Sequence, residues 1–150
     1  MNKIIITLIV LFALNCKSTE NQSKIANNDL VLIAKGNLYG SGSEGIEKQS
    51  KVIKTKSDWN NLMAKMNAEN NVSNTFSETD IDFSKYLIIA VFDAIKSSGG
   101  HSLELNLKTN SDKIIVEIIR NAPKGMATTV VTQPYYIAKM PKSDKPIQFE

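Results

Sequence analysis

Residues 86–92 are Tyr-Leu-Ile-Ile-Ala-Val-Phe, an unbroken apolar run around which the expected fold is built. A short run that is apolar at every position indicates a strand buried on both faces. Leucine then alternates with polar residues over 102–108, and residues 113–120 are rich in isoleucine and valine. Alternation indicates a half-buried strand, and β-branched residues favour strands. The three segments therefore predict consecutive strands of one antiparallel meander.

Further strands are predicted on both sides of this region, over residues 30–39, 46–55, 129–140 and 146–149. Pro134 interrupts the third of these strands. Because proline cannot donate a hydrogen bond to a β-ladder, we expect Pro134 at a sheet edge or a bulge. Residues 69–78 are polar and rich in asparagine, which predicts a mobile loop.

One helix is predicted, beginning at Ser57, whose hydroxyl would cap the first turn. Its apolar residues recur at helical spacing and form one stripe that we expect to pack against the sheet: Trp59, Leu62, Met63 and Met66. One helix among about seven strands predicts an α+β, mainly antiparallel β fold, a sheet-rich roll or sandwich with one packed helix.

The first 28 residues are predicted to precede the folded domain, which is assigned to residues 29–150. A positive start and an apolar run over 4–14, too short for a membrane span of about 20 residues, are typical of a secretory signal peptide over 1–15. Ala13-Leu14-Asn15-Cys16 resembles a bacterial lipobox, which implies that Cys16 becomes the acylated N-terminus. Residues 16–28 are then a flexible polar tether. The alternative is a secreted protein with a free thiol.

Charge and composition argue against several classes of function. The formal net charge is only +3. A nucleic-acid-binding domain usually has a strongly basic face, which this composition does not predict. Cys16 is the one cysteine and His101 the one histidine, so no metal site, disulfide or cofactor is expected. Four lysines cluster between residues 48 and 56, where they are expected to protect an edge strand from pairing with other sheets.

Catalytic motifs are weak in this sequence. Residues 40–45 match the dinucleotide pattern G-x-G-x-x-G, but a strand rather than a helix is predicted to follow, so we interpret the segment as a hairpin loop. A Ser-His-Asp arrangement would have to use His101, and no G-x-S-x-G elbow is present. We therefore expect the protein not to be an enzyme.

The candidate binding residues are Ser97, Ser98, Gly99, Gly100 and His101. Adjacent glycines permit positive φ and the close approach of another backbone. The segment is either a turn that needs glycine or a partner-binding loop. Because it is polar, we expect it to project into water and to be dispensable for folding.

Several short segments, in this order and spacing, resemble the PrcB C-terminal domain family over most of residues 30–150. They are Trp59, Asp82-Phe83, Ser98-Gly99-Gly100-His101, Pro123, Thr132-Gln133-Pro134-Tyr135 and Pro146-Ile147-Gln148-Phe149. The family usually has Tyr at the position of His101 and Gly at that of Asp93. It takes its name from a lipoprotein that supports the stability of a surface protease complex in a spirochaete.

Together these features predict a non-catalytic lipoprotein of the cell envelope. The lipobox implies an outer-membrane anchor, on the periplasmic or the surface face, and the family resemblance implies a protein partner, in particular a protease complex. Two alternatives stay open. One is a protease-inhibitor-like domain that presents the Gly-Gly loop to a protease cleft, and the other is an envelope hydrolase that uses His101. A protruding loop favours binding, whereas a pocket with a hydroxyl and a carboxylate favours catalysis.

Overall fold

The computed structural model describes residues 29–150, which form one α-helix and seven strands. In chain order the elements are β1 (Val31–Leu38), β2 (Gln49–Ile53), α1 (Lys56–Met66), a 3-10 helix (Val72–Thr75), β3 (Tyr86–Phe92), β4 (Ser102–Thr109), β5 (Ile114–Asn121), β6 (Gln133–Pro141) and β7 (Ile147–Phe149). The predicted signal peptide, Cys16 and the tether lie outside the described residues. No helix within 29–150 is long and apolar enough to cross a membrane.

The strands form two sheets. The larger sheet has the order β1-β6-β3-β2, and all of its neighbouring strands are antiparallel. The smaller sheet has the order β4-β5-β7, in which β4 and β5 are antiparallel and β5 and β7 are parallel. The predicted fold class, α+β and mainly antiparallel β with one packed helix, is confirmed.

The predicted meander is wrong at its first connection. β3 is an interior strand of the larger sheet, between β6 and β2, whereas β4 and β5 form a hairpin in the smaller sheet. The chain crosses from one sheet to the other over residues 93–101. The reason is that β3 is apolar on both faces, so each face needs a separate cover. The leucines of β4 supply one cover by packing onto β3 from the other sheet.

Each face of the larger sheet buries its own core. On one face, Ile88, Ala90 and Phe92 of β3 pack with Trp59 and Met66 of α1. On the other face, alternate residues of β3 pack against the smaller sheet: Leu87, Ile89 and Val91 with Leu103, Leu105, Leu107, Ile114 and Val116. The molecule therefore has three layers, in the order helix, larger sheet, smaller sheet.

The start of the helix differs from the prediction. Thr55, not Ser57, is the N-cap: its Oγ1 accepts a hydrogen bond from the Asp58 backbone N–H at 3.1 Å and donates one to Asp58 Oδ2 at 2.7 Å. The helix therefore begins at Lys56, and Ser57 lies inside its first turn. The predicted apolar stripe is confirmed, with Trp59 and Met66 buried and Leu62 and Met63 packed against the same core.

Two loop predictions are also corrected. No helix follows residues 40–45, as expected, but these residues are not a hairpin loop, since β1 and β2 are the opposite edges of the larger sheet. Pro134 lies in β6, an interior strand, rather than at an edge. It is tolerated because it stands near the start of the strand, where its carbonyl still accepts a hydrogen bond from the Asp93 N–H at 2.9 Å. The one irregularity in the β1–β6 register lies instead between Leu32 and Ala34.

Candidate functional site

The candidate loop lies at one end of the molecule, which we call the loop end. Strands β1, β3 and β5 end there, and β2, β4 and β6 begin there. Three connecting segments meet at this end: residues 39–48, residues 93–101 and residues 122–132. Residue 29 and the start of β1 lie at the opposite end.

The predicted binding loop is docked onto the neighbouring segment and does not project freely. Lys96 and Thr132 exchange two backbone hydrogen bonds, of 2.7 and 2.9 Å, and the Gly99 N–H donates to the Thr128 carbonyl at 3.0 Å. Thr132 Oγ1 donates to the Ser98 carbonyl at 3.0 Å. The loop is therefore docked onto residues 128–132 through Lys96, Ser98 and Gly99, and the expectation that it projects into water holds only for Ser97 and Gly100, which are exposed.

Both glycines of this loop have structural reasons to be glycine. Gly99 is buried, and a Cβ there would overlap Thr128 Oγ1 and lie 3.1 Å from Val130 Cγ1. Gly100 has φ +83°, and a Cβ there would lie 2.8 Å from Pro123 Cβ. The glycines therefore serve the fold, and a buried Gly99 does not favour insertion of the Gly-Gly pair into a protease cleft. A role in binding stays a prediction for the side chains of Ser97, Ser98 and His101.

His101 is half-buried and is held from two directions. Its Nε2 lies 3.2 Å from Ser98 Oγ, and its backbone carbonyl accepts a hydrogen bond from Asn37 Nδ2 at 3.3 Å. A hydroxyl beside an imidazole is the arrangement of a nucleophile–base pair, which a catalytic triad completes with an acid that orients the imidazole. The buried acid that begins the same loop, Asp93, is instead paired with cations.

Asp93 is the electrostatic centre of the loop end, with its side chain 4% exposed. Its carboxylate lies 2.9 Å from Lys96 Nζ, 3.4 Å from Arg120 Nε and 3.8 Å from Lys48 Nζ. Burial raises the pKa of Asp93, but the Lys96 hydrogen bond, the Ala94 backbone N–H and the charges of Lys96 and Arg120 outweigh it. The pKa of Asp93 is therefore lowered, and the carboxylate stays ionised at neutral pH.

Sequence reasoning did not find this cluster. Asp93 and Arg120 are brought together only because the chain leaves the larger sheet after β3 and comes back to the loop end along β5 of the smaller sheet. The available signal was an acidic residue placed directly after a strand that is buried on both faces. Such an acid enters an apolar environment and needs a cationic partner.

Gln133 ties two of the three loops together beneath the surface. Its Nε2 donates to the Ile46 carbonyl at 2.8 Å and to the Asp93 carbonyl at 3.0 Å. Thr132 and Gln133 are both buried, so the Thr132-Gln133-Pro134 segment supports the site and does not offer these two side chains to a partner. The loops of this end are thereby held in one arrangement.

Large apolar side chains are exposed on the same three loops. Within residues 29–150, most exposed large hydrophobic residues outside β1 and β5 lie at the loop end: Tyr39, Ile95, Met126, Val130 and Val131. Ile95 lies against the segment 39–48, since a Cβ on Gly42 would come 2.7 Å from Ile95 Cδ1. Within the same residues, no group of three or more His, Cys, Asp or Glu side chains has the geometry of a metal site.

Comparison with family models, with curated proteins and with solved structures finds no match. The resemblance to the PrcB C-terminal domain family stays a prediction made from the residues.

Proposed function

We propose that this protein is a non-catalytic, lipid-anchored protein of the cell envelope that binds a protein partner through its loop end. The observation that carries the proposal is that five large apolar side chains are exposed on the loops of this end: Tyr39, Ile95, Met126, Val130 and Val131. We call these five residues the apolar tip. A surface protease complex is the partner that the family resemblance suggests.

The composition of the loop end suits a protein interface. Tyr, Met and Arg are enriched at interfaces relative to the rest of a protein surface, and here Tyr39 and Met126 are exposed at the same end as Arg120. The bonds of Gln133 and the ion pairs of Asp93 hold the loops before a partner arrives. Such preorganisation reduces the entropy that binding would otherwise cost.

The place where the predicted tether joins the folded domain bears on the proposal. Residue 29 precedes β1, whose first residues lie at the end opposite the loop end. The predicted tether therefore joins the domain at the end away from the apolar tip.

The proposal is tested by changing Met126 and Val131 to Asp together. Both side chains are exposed, so the variant is expected to keep its melting temperature and to lose the partner that co-purifies with the wild type from detergent-solubilised membranes. The matched control changes Val31 and Leu32 to Asp, since these are 46% and 40% exposed at the opposite end. Retention of the partner by the folded Met126/Val131 variant, or equal loss in both variants, would contradict the proposal.

The loop side chains are tested separately by changing Ser97, Ser98 and His101 to Ala together. The backbone hydrogen bonds that dock this loop survive the change, so the melting temperature is expected to fall by only a few degrees at most. Loss of the partner would support binding by these side chains. A folded variant that keeps the partner would limit the interface to the apolar tip.

One observation favours a hydrolase as the second candidate, namely the 3.2 Å separation of Ser98 Oγ and His101 Nε2. An activated serine reacts with a fluorophosphonate probe because the base increases its nucleophilicity. Under the proposed function the wild-type protein is not labelled. Labelling of the wild type that disappears in Ser98→Ala would establish the hydrolase instead.

A further inference from the structure

The two edge strands of the larger sheet, β1 and β2, differ in whether their outer backbone groups are hydrogen-bonded. Beside β1, Ser77 N–H donates to the Ile33 carbonyl at 3.1 Å and Ser77 Oγ donates to the Leu32 carbonyl at 3.3 Å. These bonds occupy backbone carbonyls on the outer side of β1, and the register irregularity lies at the same residues. The β1 edge is therefore partly blocked for pairing with another strand. β2 pairs with β3 on one side, and within residues 29–150 no strand pairs with its other side.

Lysines line the open edge and extend onto the helix. Lys48, Lys51 and Lys54 are exposed along β2 and its ends. Lys65 of α1 and Lys48, with Gln49, line a half-open cavity of about 290 Å³ at the start of the strand. Among the described contacts Lys51, Lys54 and Lys65 have no ion pair, and Lys48 lies 3.8 Å from Asp93. Glu47 is the acid in this lining.

We propose that the β2 edge binds an extended, acidic segment of a partner protein, which pairs with β2 as an additional strand. An unpaired edge offers backbone donors and acceptors to such a segment, and the ladder supplies affinity while side chains supply specificity. The unpaired lysines supply the complementary charge.

The same lysines disfavour the simplest competitor, a second copy of this chain. Two β2 edges brought together would place lysines opposite lysines, and like charges in directly opposed positions are destabilising. An acidic strand replaces that repulsion with attraction. This surface is distinct from the apolar tip, so the inference goes beyond the proposed function and can fail independently of it.

The probe is a short fluorescein-labelled peptide in which Glu alternates with Val and Thr, titrated with the full-length protein in detergent. Saturable binding is expected by fluorescence anisotropy, and it should weaken several-fold as salt is raised, because exposed charges are screened. The same peptide with Lys in place of Glu should not bind. Absence of binding by the acidic peptide, or equal binding of both peptides, would overturn the proposal.

Charge reversal locates the site. Lys51→Glu with Lys54→Glu is expected to weaken binding of the acidic peptide by about tenfold or more. The matched control is Lys124→Glu with Lys142→Glu, which changes the net charge equally at exposed residues outside β2. An equal loss in the two variants would show attraction to net charge alone and would overturn the proposal.

Pairing through the backbone is tested with two N-methylated forms of the acidic peptide. Methyl groups on alternate residues block the donors of one strand edge and leave those of the other edge free. A strand that pairs with β2 through one edge should lose binding in one methylated form only. Equal binding of the two forms, whether retained or lost, would overturn strand addition.

Discussion

Single residues at the loop end are constrained by space and by charge. Gly100 combines a positive φ with a close approach to Pro123, and Asp93 places a buried carboxylate among three cations. Neither Gly100 nor Asp93 is itself proposed to touch a partner. Changes at these positions should therefore alter stability, which separates their role from that of the exposed residues.

The first residue-scale prediction compares two glycines that differ mainly in their surroundings. Gly100→Ala is expected to lower the free energy of unfolding by more than Gly125→Ala. Both glycines have positive φ, +83° and +100°, but only Gly100 would bring a Cβ close to another atom, Pro123 Cβ at 2.8 Å. Backbone strain should cost about 1–3 kcal/mol in each variant, and the overlap adds to it in Gly100→Ala. Urea unfolding measures both, and equal losses would mean that the Pro123 contact is unimportant.

The second residue-scale prediction concerns the charge of Asp93. Asp93→Asn is expected to lower the free energy of unfolding at pH 7 by about 1–3 kcal/mol, because a charged hydrogen-bond acceptor is lost from a buried position. The cost should stay below the value for a fully buried ion pair, since the cations are partly exposed and can be rehydrated.

The effect of this substitution should depend on pH with a definite sign. The pKa of Asp93 is lowered in the folded state, so its contribution is complete above the unfolded pKa of about 3.9 and declines as pH falls through the folded value. The difference between wild type and Asp93→Asn should therefore shrink under acid conditions. Asp112→Asn, in an exposed turn, is the control. A difference that is constant across this range would contradict the charge argument.

At the scale of elements, Trp59 connects the helix to the segment that precedes β3. Trp59 is 1% exposed, its Nε1 donates to the Thr79 carbonyl at 2.8 Å, and its ring lies 6.1 Å from that of Phe76, centroid to centroid. It therefore joins α1 to the segment that leads from the helix to β3. Loss of this side chain should weaken the packing of α1 and of the segment between α1 and β3.

Trp59→Ala is expected to lower the free energy of unfolding by about 3–5 kcal/mol, because it opens a cavity under the helix and leaves the Thr79 carbonyl without its donor. Asn60→Ala, on the exposed side of the same helix, should change stability little. Denaturant unfolding measures both variants. In the native protein Trp59 fluorescence should also resist quenching by iodide, and ready quenching would contradict the burial of the helix.

At the scale of the whole molecule, the predicted tether joins the domain at the end opposite the proposed binding surface. The prediction that tests the anchor is Cys16→Ser, which should move the protein from the membrane fraction to the soluble fraction. Each buried methylene contributes about 0.8 kcal/mol to membrane affinity, so the loss of acyl chains removes the attachment. Mass spectrometry of the intact wild type checks the modification, and an unmodified Cys16 would contradict the anchor.

The sequence alone determined the fold class and the character of most elements. The apolar run of β3, the leucine alternation of β4 and the stripe on α1 each record which face of an element is buried, and the structure confirms all three. Such patterns are local, since they depend on spacing within one element. The lipobox predicted at Cys16 also rests on the sequence, and it lies outside the described residues.

Tertiary structure alone decided which strands share a sheet and what surrounds the candidate loop. The pairing of β1 with β6, the separation of β3 from β4, and the approach of Arg120 to Asp93 join residues far apart along the chain. Periodicity shows that β3 needs cover on both faces, but it does not show which segments supply it. That choice depends on how all the apolar faces can be buried together, and it also docked the Gly-Gly loop onto residues 128–132.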